Sequence, residues 1–130
     1  MEPTRDTQAL AIEYIEDVGR KQFDRVAELL HPDVEFHTTG RTLNGSADYI
    51  AALQRLGLIL ERNEVRTVIA DGNVVCIVYD FVTDTAAGAV KSAEWITFDA
   101  GRIRSARLVF DHSHWPTVLA ELGRRATIAA

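Results

Sequence analysis

The chain has 130 residues, enough for one hydrophobic core and too few for two comfortable domains, and its 47% hydrophobic and 25% charged residues are typical of a globular protein. The formal net charge of −5 argues against nucleic acid or an anionic membrane surface as a partner, because both require a clustered basic face. The single cysteine excludes an internal disulfide and a cysteine-based metal cage.

The first half of the chain predicts three helices and one strand. Residues 6–19 carry apolar side chains at three- and four-residue spacing, which indicates an amphipathic helix, and a second, short helix is expected over 23–30. Alternating side chains predict a strand over 33–38. After a loop, Ser46 is placed to cap a third helix, whose apolar stripe runs to Leu60.

The second half predicts strands joined by tight turns, followed by a last helix over 115–125. Asp71-Gly72 marks the first hairpin. The next two turns have the pattern of three-residue loops that end in Gly88 and Gly101, where a left-handed residue with positive φ is expected. The four strands are expected over residues 64–70, 74–84, 89–98 and 102–112.

The lengths of these loops determine which residues face each other. If residues 86–88 form the second loop, Asp80 lies opposite Glu94, and a third loop over 99–101 places Ala106 opposite Glu94 on its other side. Two carboxylates shielded from water by apolar neighbours would share a proton and form an acid/base dyad. Around this pair we expect a pocket lined by Phe36, Thr38, Val78, Ile96, Phe98, Leu108, Phe110 and His112.

The opposite face of the predicted sheet is also apolar, since it carries Tyr79, Phe81 and Trp95. One face of an antiparallel sheet is normally solvated, so apolar residues on both faces indicate that both are covered. The helices can cover only one of them. We therefore expect the outer face to pack on a second copy of the chain, giving a twofold homodimer.

Four short segments stand in a fairly specific order along the chain. They are Ala9-Leu10-Ala11-Ile12-Glu13-Tyr14, Leu30-His31-Pro32-Asp33-Val34-Glu35-Phe36, Asn44-Gly45-Ser46-Ala47-Asp48-Tyr49-Ile50 and Asp99-Ala100-Gly101-Arg102-Ile103. With the order of helices and strands, they resemble the nuclear-transport-factor-2-like superfamily, which includes SnoaL-like polyketide cyclases, ketosteroid isomerase, limonene epoxide hydrolase and scytalone dehydratase.

The resemblance implies an α+β, cystatin-like fold, in which a cone-shaped, strongly curved antiparallel sheet wraps around N-terminal helices and encloses an apolar pocket. It also implies a dimer formed through the outer face of the sheet. The expected organisation is a single SnoaL-like domain over residues 1–130, with its core at about 7–114 and a C-terminal helix or tail over 115–130.

Ketosteroid isomerase gives the most informative comparison for the site. Tyr14 lies where that enzyme has its oxyanion-hole tyrosine, and Glu94 lies where it has a protonated carboxylic acid. The general-base aspartate has no counterpart here, because its position falls on Thr38 or near Phe36. Neither side chain takes a proton from carbon at neutral pH.

Limonene epoxide hydrolase implies a different use of Asp80 and Glu94, as two carboxylates on neighbouring strands bridged by an arginine. The arginine position is occupied by Val78, and Arg107 would replace it only if the third loop held two residues. A register displaced by one residue would instead turn one carboxylate to solvent or to an arginine of the dimer face.

For the other candidate residues, a purely structural role is an alternative to a functional one. Tyr14 is as consistent with a core tyrosine, whose hydroxyl satisfies another polar group, as with an oxyanion donor. His112 and His114 stand at the end of the last strand, near the expected mouth of the pocket. A histidine in that place either shuttles protons or is simply exposed at a strand end.

Together these features predict a SnoaL-like enzyme that acts on an apolar, cyclic small molecule by metal-free acid/base chemistry of the isomerase, cyclase, dehydratase or epoxide-hydrolase type. Tyr14, Asp80 and Glu94 would be its catalytic groups. The alternative is a non-catalytic module of the same fold that binds a hydrophobic ligand or dimerises.

Neither a metal nor a cofactor is expected, since the sequence has no convergent His/Asp/Glu cluster and no glycine-rich phosphate loop. No apolar stretch approaches the about 20 residues that span a bilayer. The N-terminus also lacks the basic-then-apolar order of a signal peptide. A cytoplasmic location without membrane contact is therefore expected.

Overall fold

A computed structural model describes residues 6–129 as an α+β arrangement of helices and one sheet. The helices are α1 (Thr7–Gly19), α2 (Phe23–Leu29), α3 (Ser46–Leu56) and α4 (Trp115–Ala129). The strands are β1 (Leu30–Thr38), β2 (Arg41–Asn44), β3 (Leu60–Asp71), β4 (Val74–Thr83), β5 (Ala89–Asp99) and β6 (Arg102–Phe110). Among residues 6–129, no helix combines the length and the apolar character that a membrane span requires.

The strands form a single sheet in the order β2-β1-β6-β5-β4-β3. All neighbouring strands are antiparallel except β1 and β6, which run parallel. Register shifts interrupt the β1/β6, β3/β4 and β5/β6 pairs, and irregularities of this kind bend a sheet. The sheet curves around α1, which packs on β3 and β4, and α3, which packs on β1. The predicted α+β fold is thus confirmed.

The hydrophobic core lies between these helices and the concave face of the sheet. The stripe on α1 buries Leu10 and Ile15, which belong to the same apolar cluster as Ile77 of β4 and Ile96 of β5. Full burial of such a side chain contributes about 1.5–3 kcal/mol. A smaller cluster, formed by Ile59, Val118 and Leu122, fixes α4 to the rest of the domain.

Several elements differ in detail from the sequence-based expectation. The strand β2 was not expected, because its four residues are largely exposed and show no alternating apolar pattern. Gly45, with φ of 90°, is the residue before α3, and no side chain caps that helix, so the capping role predicted for Ser46 is wrong. The last helix extends to Ala129 instead of ending at Arg125.

The predicted register between β4 and β5 is wrong. Asp80 pairs with Lys91, and Glu94 pairs with Ile77. The cause is the loop, in which the amide of Thr83 donates to the carbonyl of Gly88 at 3.0 Å, so that four residues rather than three separate the closing pair. Gly88 has the expected positive φ of 65°. Compared with the predicted pairing, the observed pairing is displaced by an odd number of residues. Each side chain of β4 therefore lies on the opposite face of the sheet from the one predicted.

The turn between β5 and β6, by contrast, is shorter than expected. Asp99 pairs with Arg102, so Ala100 and Gly101 form a two-residue turn with φ of 51° and 80°, as a primed turn requires. A register shift follows between Thr97 and Phe98 and restores an even displacement. As a result β6 keeps its predicted face, although the partner of Glu94 is Leu108 and not Ala106.

These registers exchange the two faces of β4. Tyr79 and Phe81 lie on the concave face, whereas the sequence placed them on the outer face. Val78 and Asp80 lie on the outer face, and Val78 is 37% exposed. Trp95 of β5 remains on the outer face as predicted and is 39% exposed.

The outer face of the sheet carries an exposed apolar patch. Cross-strand pairing joins its members, because Val78 and Val109 both face Ala93, while Ile69 and Trp95 both face Cys76. The patch consists of Ile69, Val74, Val78, Trp95 and Val109. It therefore replaces the predicted set of Tyr79, Phe81 and Trp95 as the surface on which a second copy is expected to pack.

The change from Trp95 to Asp tests this surface. We expect the wild-type chain to sediment as a dimer at micromolar concentration, and Trp95→Asp to be monomeric or insoluble, because the substitution would bury a charge in the interface. Ile128→Asp is the matched control, since Ile128 is 70% exposed on α4, away from the sheet, and this variant should remain dimeric. A monomeric wild type in sedimentation velocity would refute the expected dimer.

Candidate active site

A cavity of about 530 Å³ lies between the concave face of the sheet and the helices α1 and α3, with α4 at one end. This volume is within the range of about 300–1,000 Å³ that is usual for ligand pockets. Most of its lining is apolar. The apolar lining residues include Ile15, Val18, Phe36, Leu43, Leu53, Phe81, Leu108 and Phe110.

Four buried polar side chains meet at one place in this wall. Each comes from a different element, and all four line the cavity: Tyr14 from α1, Tyr49 from α3, Tyr79 from β4 and Glu94 from β5. Each is buried, and Glu94 is only 2% exposed. We call these four residues the tyrosine–glutamate cluster.

The hydroxyl groups of the cluster converge on the carboxyl group of Glu94. Tyr14 Oη donates to Oε2 at 2.8 Å, and Tyr79 Oη donates to Oε1 at 2.9 Å. Tyr14 Oη is also hydrogen-bonded to Tyr49 Oη. Since a phenol has one proton and Tyr14 gives its proton to Glu94, Tyr49 is the donor to Tyr14. Both carboxylate oxygens are therefore satisfied in the ionised state.

Burial sets the protonation of the cluster. It raises the pKa of Glu94 from the ordinary 4.5 to about 7, while the hydrogen bonds from Tyr14 and Tyr79 act in the opposite direction. Burial, and next the negative charge of Glu94, raise the pKa values of Tyr14, Tyr49 and Tyr79 well above the ordinary value of 10. The phenols thus remain donors at neutral pH, where Glu94 exists in both charge states.

Aromatic and aliphatic side chains surround the cluster. Phe36 stacks on Tyr49 with ring centroids 4.5 Å apart and planes inclined by 18°. Thr38 lines the cavity as expected, but its hydroxyl donates to the carbonyl of Leu108 at 3.1 Å. Ile96 and Phe98 are on the concave face, where they are buried in the core and do not border the cavity.

The mouth of the cavity, away from the tyrosine–glutamate cluster, is formed by the end of β6 and the start of α4. The ring of His112 stacks on Phe110 at a centroid distance of 4.0 Å, and Trp115 lies 4.6 Å from Phe110 on another side. All three side chains line the cavity. His112 is therefore placed at the mouth, where the sequence predicted it, and is exposed there.

Asp80 is not part of this site, and the predicted dyad with Glu94 does not exist. Its carboxylate Oδ2 accepts hydrogen bonds from Nε and Nη2 of Arg66 at 3.0 and 2.8 Å, and Oδ1 lies 3.9 Å from Nζ of Lys91. These contacts are on the outer face, as expected if the register is displaced by an odd number. Val78 is removed from the pocket wall for the same reason. Of the described residues, Glu94 is the one carboxylate that lines the cavity.

Two members of the cluster were not recognised from the sequence. Tyr49 belongs to the apolar stripe of α3, and nothing in that pattern distinguishes a functional phenol from a core aromatic. Tyr79 carries the right alternation along β4, but the loop length that was assumed put it on the other face. Within residues 6–129, no three His, Cys, Asp or Glu side chains lie close enough to hold a metal ion.

Comparison with known proteins gives one family match and many structural matches. The family model described as a SnoaL-like domain matches residues 11–106. None of the curated proteins compared matches the chain significantly.

Three solved structures illustrate the structural likeness. A steroid delta-isomerase from Pseudomonas aeruginosa is 22% identical with a TM-score of 0.76, and 100% of each chain is covered. A putative SnoaL-like polyketide cyclase from Shewanella denitrificans is 17% identical with a TM-score of 0.73, over 88% of this chain and 97% of that chain. An NTF2-like protein of unknown function from Cytophaga hutchinsonii is 20% identical with a TM-score of 0.73, over 86% and 96%. At these identities the likeness is one of fold.

The raised pKa of Glu94 predicts how stability depends on pH. In the folded protein Glu94 keeps its proton up to about pH 7, whereas in the unfolded chain it ionises near 4.5. Between these values the folded state binds more protons, so the free energy of unfolding falls as pH rises and this effect ends above pH 7. At about 1.4 kcal/mol per pH unit, the loss from this group is about 3 kcal/mol.

Urea denaturation between pH 5 and pH 8 measures this effect. The free energy of unfolding of Glu94→Gln should fall by about 2–3 kcal/mol less than that of the wild type over this range, because the amide does not ionise. Glu28→Gln, at an exposed position of α2, is the control and should follow the wild type. Parallel pH profiles for Glu94→Gln and the wild type would contradict the raised pKa.

Proposed function

The chain belongs to the SnoaL-like domain family, and from this premise we propose that it is an enzyme that transfers a proton on an apolar, cyclic small molecule, with Glu94 as the acid/base group. One observation carries the proposal. A lone carboxyl group, with its pKa raised to about 7, is held by two phenol donors in the wall of an apolar cavity. Proton-transfer catalysts work best when their pKa is near the operating pH.

Ionised Glu94 is the base in this scheme. It takes a proton from a carbon next to a carbonyl group of the substrate, and the electron pair of the broken C–H bond moves to the carbonyl oxygen. The protonated carboxyl group then returns its proton to another carbon, or to the same one, as the carbonyl re-forms. The reaction consumes no co-reactant, so isomerisation or enolisation fits it directly.

The hydrogen bonds of the cluster supply the stabilisation that such a reaction needs. While Glu94 is ionised, Tyr14 and Tyr79 donate to it. Protonation of Glu94 weakens the hydrogen bonds from both phenols, because a carboxylic acid is a weaker acceptor than a carboxylate. One phenol is then free to donate to the oxyanion of the substrate in a largely apolar cavity. The base and the oxyanion donor are thereby coupled through one proton.

The substrate class follows from the cavity and from the neighbours. The walls are largely aromatic and aliphatic, which favours an apolar ring system. The names of two neighbours, a steroid delta-isomerase and a putative polyketide cyclase, support the same class. Since no second carboxylate lines the cavity among the described residues, the two-carboxylate mechanism of the epoxide-hydrolase type is not supported.

A non-catalytic ligand-binding module of the same fold is the second candidate. The observation in its favour is that both oxygens of Glu94 already accept a hydrogen bond, as in a satisfied core network. Such a module would bind the same apolar ligands and leave them unchanged. The family fold is compatible with either role.

A reaction that needs only a base decides between the two candidates. The probe is 5-nitrobenzisoxazole, an apolar bicyclic compound that opens to a coloured phenolate when one C–H proton is removed. We expect kcat/KM for the wild type to rise with pH through a single ionisation near 7, which is the pKa of Glu94. Glu94→Gln should lower kcat/KM by at least about 100-fold, since general-base catalysis is worth that much.

Asp80→Asn is the matched control, because it removes a carboxylate from the outer face of the same sheet. It should retain the wild-type rate once its folding has been confirmed by circular dichroism. If Glu94→Gln keeps the wild-type rate, or if the wild type does not exceed the buffer rate while it binds the probe, Glu94 is not a catalytic base and the binding module is the correct function.

A further inference from the structure

Two arginine side chains line the mouth of the cavity, away from the tyrosine–glutamate cluster. Arg41 is the first residue of β2, and Arg55 lies in the last turn of α3. Both are exposed and border the same cavity as His112, from different elements of the fold. The mouth is therefore lined by basic groups on more than one side.

Neither guanidinium group is paired with another side chain of the described residues. Within residues 6–129, no hydrogen-bond or ion-pair partner contacts the guanidinium group of Arg41 or of Arg55. Arg66 and Arg125, by contrast, contact Asp80 and Asp84. Arg102 and Arg107 also lack a polar partner among the described residues, but neither lines the cavity. A guanidinium group that has no polar partner in its own protein has its N–H donors available for a ligand.

The mouth of the cavity carries positive side chains, whereas the chain as a whole is negatively charged. The chain has a formal net charge of −5, yet the one described acidic residue that lines the cavity is Glu94, buried in the cluster. A positive rim on an acidic protein concentrates anionic ligands at the entrance. It also orients them, because the ionised state of Glu94 repels an acid group from the inner end.

We infer that the cavity binds an amphipathic carboxylic acid, with its apolar body against the aromatic walls and its carboxylate at the mouth between Arg41 and Arg55. Guanidinium groups match a carboxylate with paired N–H donors. A phosphate is less suited, since within residues 6–129 no glycine-rich loop of backbone amides opens onto this mouth. The inference names the substrate class for the proposed enzyme and rests on that proposal for the use of the cavity.

Two probes that differ in one group test the inference. We use 1-pyrenebutyrate and 1-pyrenebutanol, which share an apolar body and differ in the carboxylate, and measure binding by fluorescence anisotropy. The wild type should bind the acid at least about tenfold more tightly than the alcohol, as expected for two charge-assisted contacts. In the double variant Arg41→Gln, Arg55→Gln this preference should vanish, while the affinity for the alcohol stays within about twofold of the wild type.

Arg102→Gln controls for the loss of positive charge in general. Arg102 is exposed at the start of β6, the end of the strand opposite to the mouth, and this variant should keep the preference. Equal affinities of the wild type for the two probes, no binding of either probe, or the same loss in Arg102→Gln and the double variant would each overturn the inference.

The variant Glu94→Gln separates this inference from the proposed function. It should keep the preference for the acid, because the arginines act at the other end of the cavity. If Glu94→Gln retains catalysis of the benzisoxazole reaction but the preference for the acid persists, the proton-transfer proposal fails and the carboxylate site stands. If catalysis depends on Glu94 but the wild type shows no preference, the carboxylate site fails alone.

Discussion

A carboxyl group that is buried in an apolar wall must be hydrogen-bonded or protonated, and Glu94 meets this constraint in both ways. Its two oxygens draw in the hydroxyl groups of Tyr14 and Tyr79, and Tyr49 joins through Tyr14. The cluster thereby links α1, α3, β4 and β5 at one point of the cavity. Removing any one partner would leave a buried polar group unsatisfied, at a cost of about 1–3 kcal/mol. This requirement explains why the three tyrosines and Glu94 meet at one place in the cavity wall.

The polar groups of the cavity lie in two separate places. The inner cluster has a carboxyl group whose pKa is raised by burial, the walls are largely aromatic and aliphatic, and two arginines without polar partners among the described residues line the outer rim. The opposite side of the same sheet is apolar and exposed. One curved sheet thus has the cavity with its polar cluster on the concave side and an exposed apolar patch on the convex side. The SnoaL-like family explains the shape, but the residues at these places define what this member can do.

The sequence predicts much of this arrangement because periodicity is a local signal. The stripe of α1 put Tyr14 on the inner face of that helix, and the alternation along β5 and β6 put Glu94, Leu108 and Phe110 on the concave face. The role of Tyr14 as a site candidate came from the resemblance to ketosteroid isomerase. The prediction of which side chains of β4 face the cavity was wrong, because it depends on the number of residues between Thr83 and Gly88. Hydrogen bonds of the Thr83 and Thr85 hydroxyl groups stabilise a loop that is longer than the one assumed. A change of one in that number reverses every side chain of the strand. Propensity carries no information about such hydrogen bonds, so the Asp80–Glu94 dyad was predicted and Tyr79 was missed.

The central claim is that Glu94 carries a proton that it exchanges near neutral pH. Carbon-13 labelling of the glutamate side-chain carboxyl groups, with Glu94 assigned by its absence from the spectrum of Glu94→Gln, gives its titration curve directly. We predict a midpoint near pH 7, well separated from the ordinary 4.5, and a single transition because no second carboxylate shares the cavity among the described residues. A Glu94 resonance that titrates at or below 4.5 would contradict the account, because the carboxyl group would then be a permanently charged acceptor unable to return a proton.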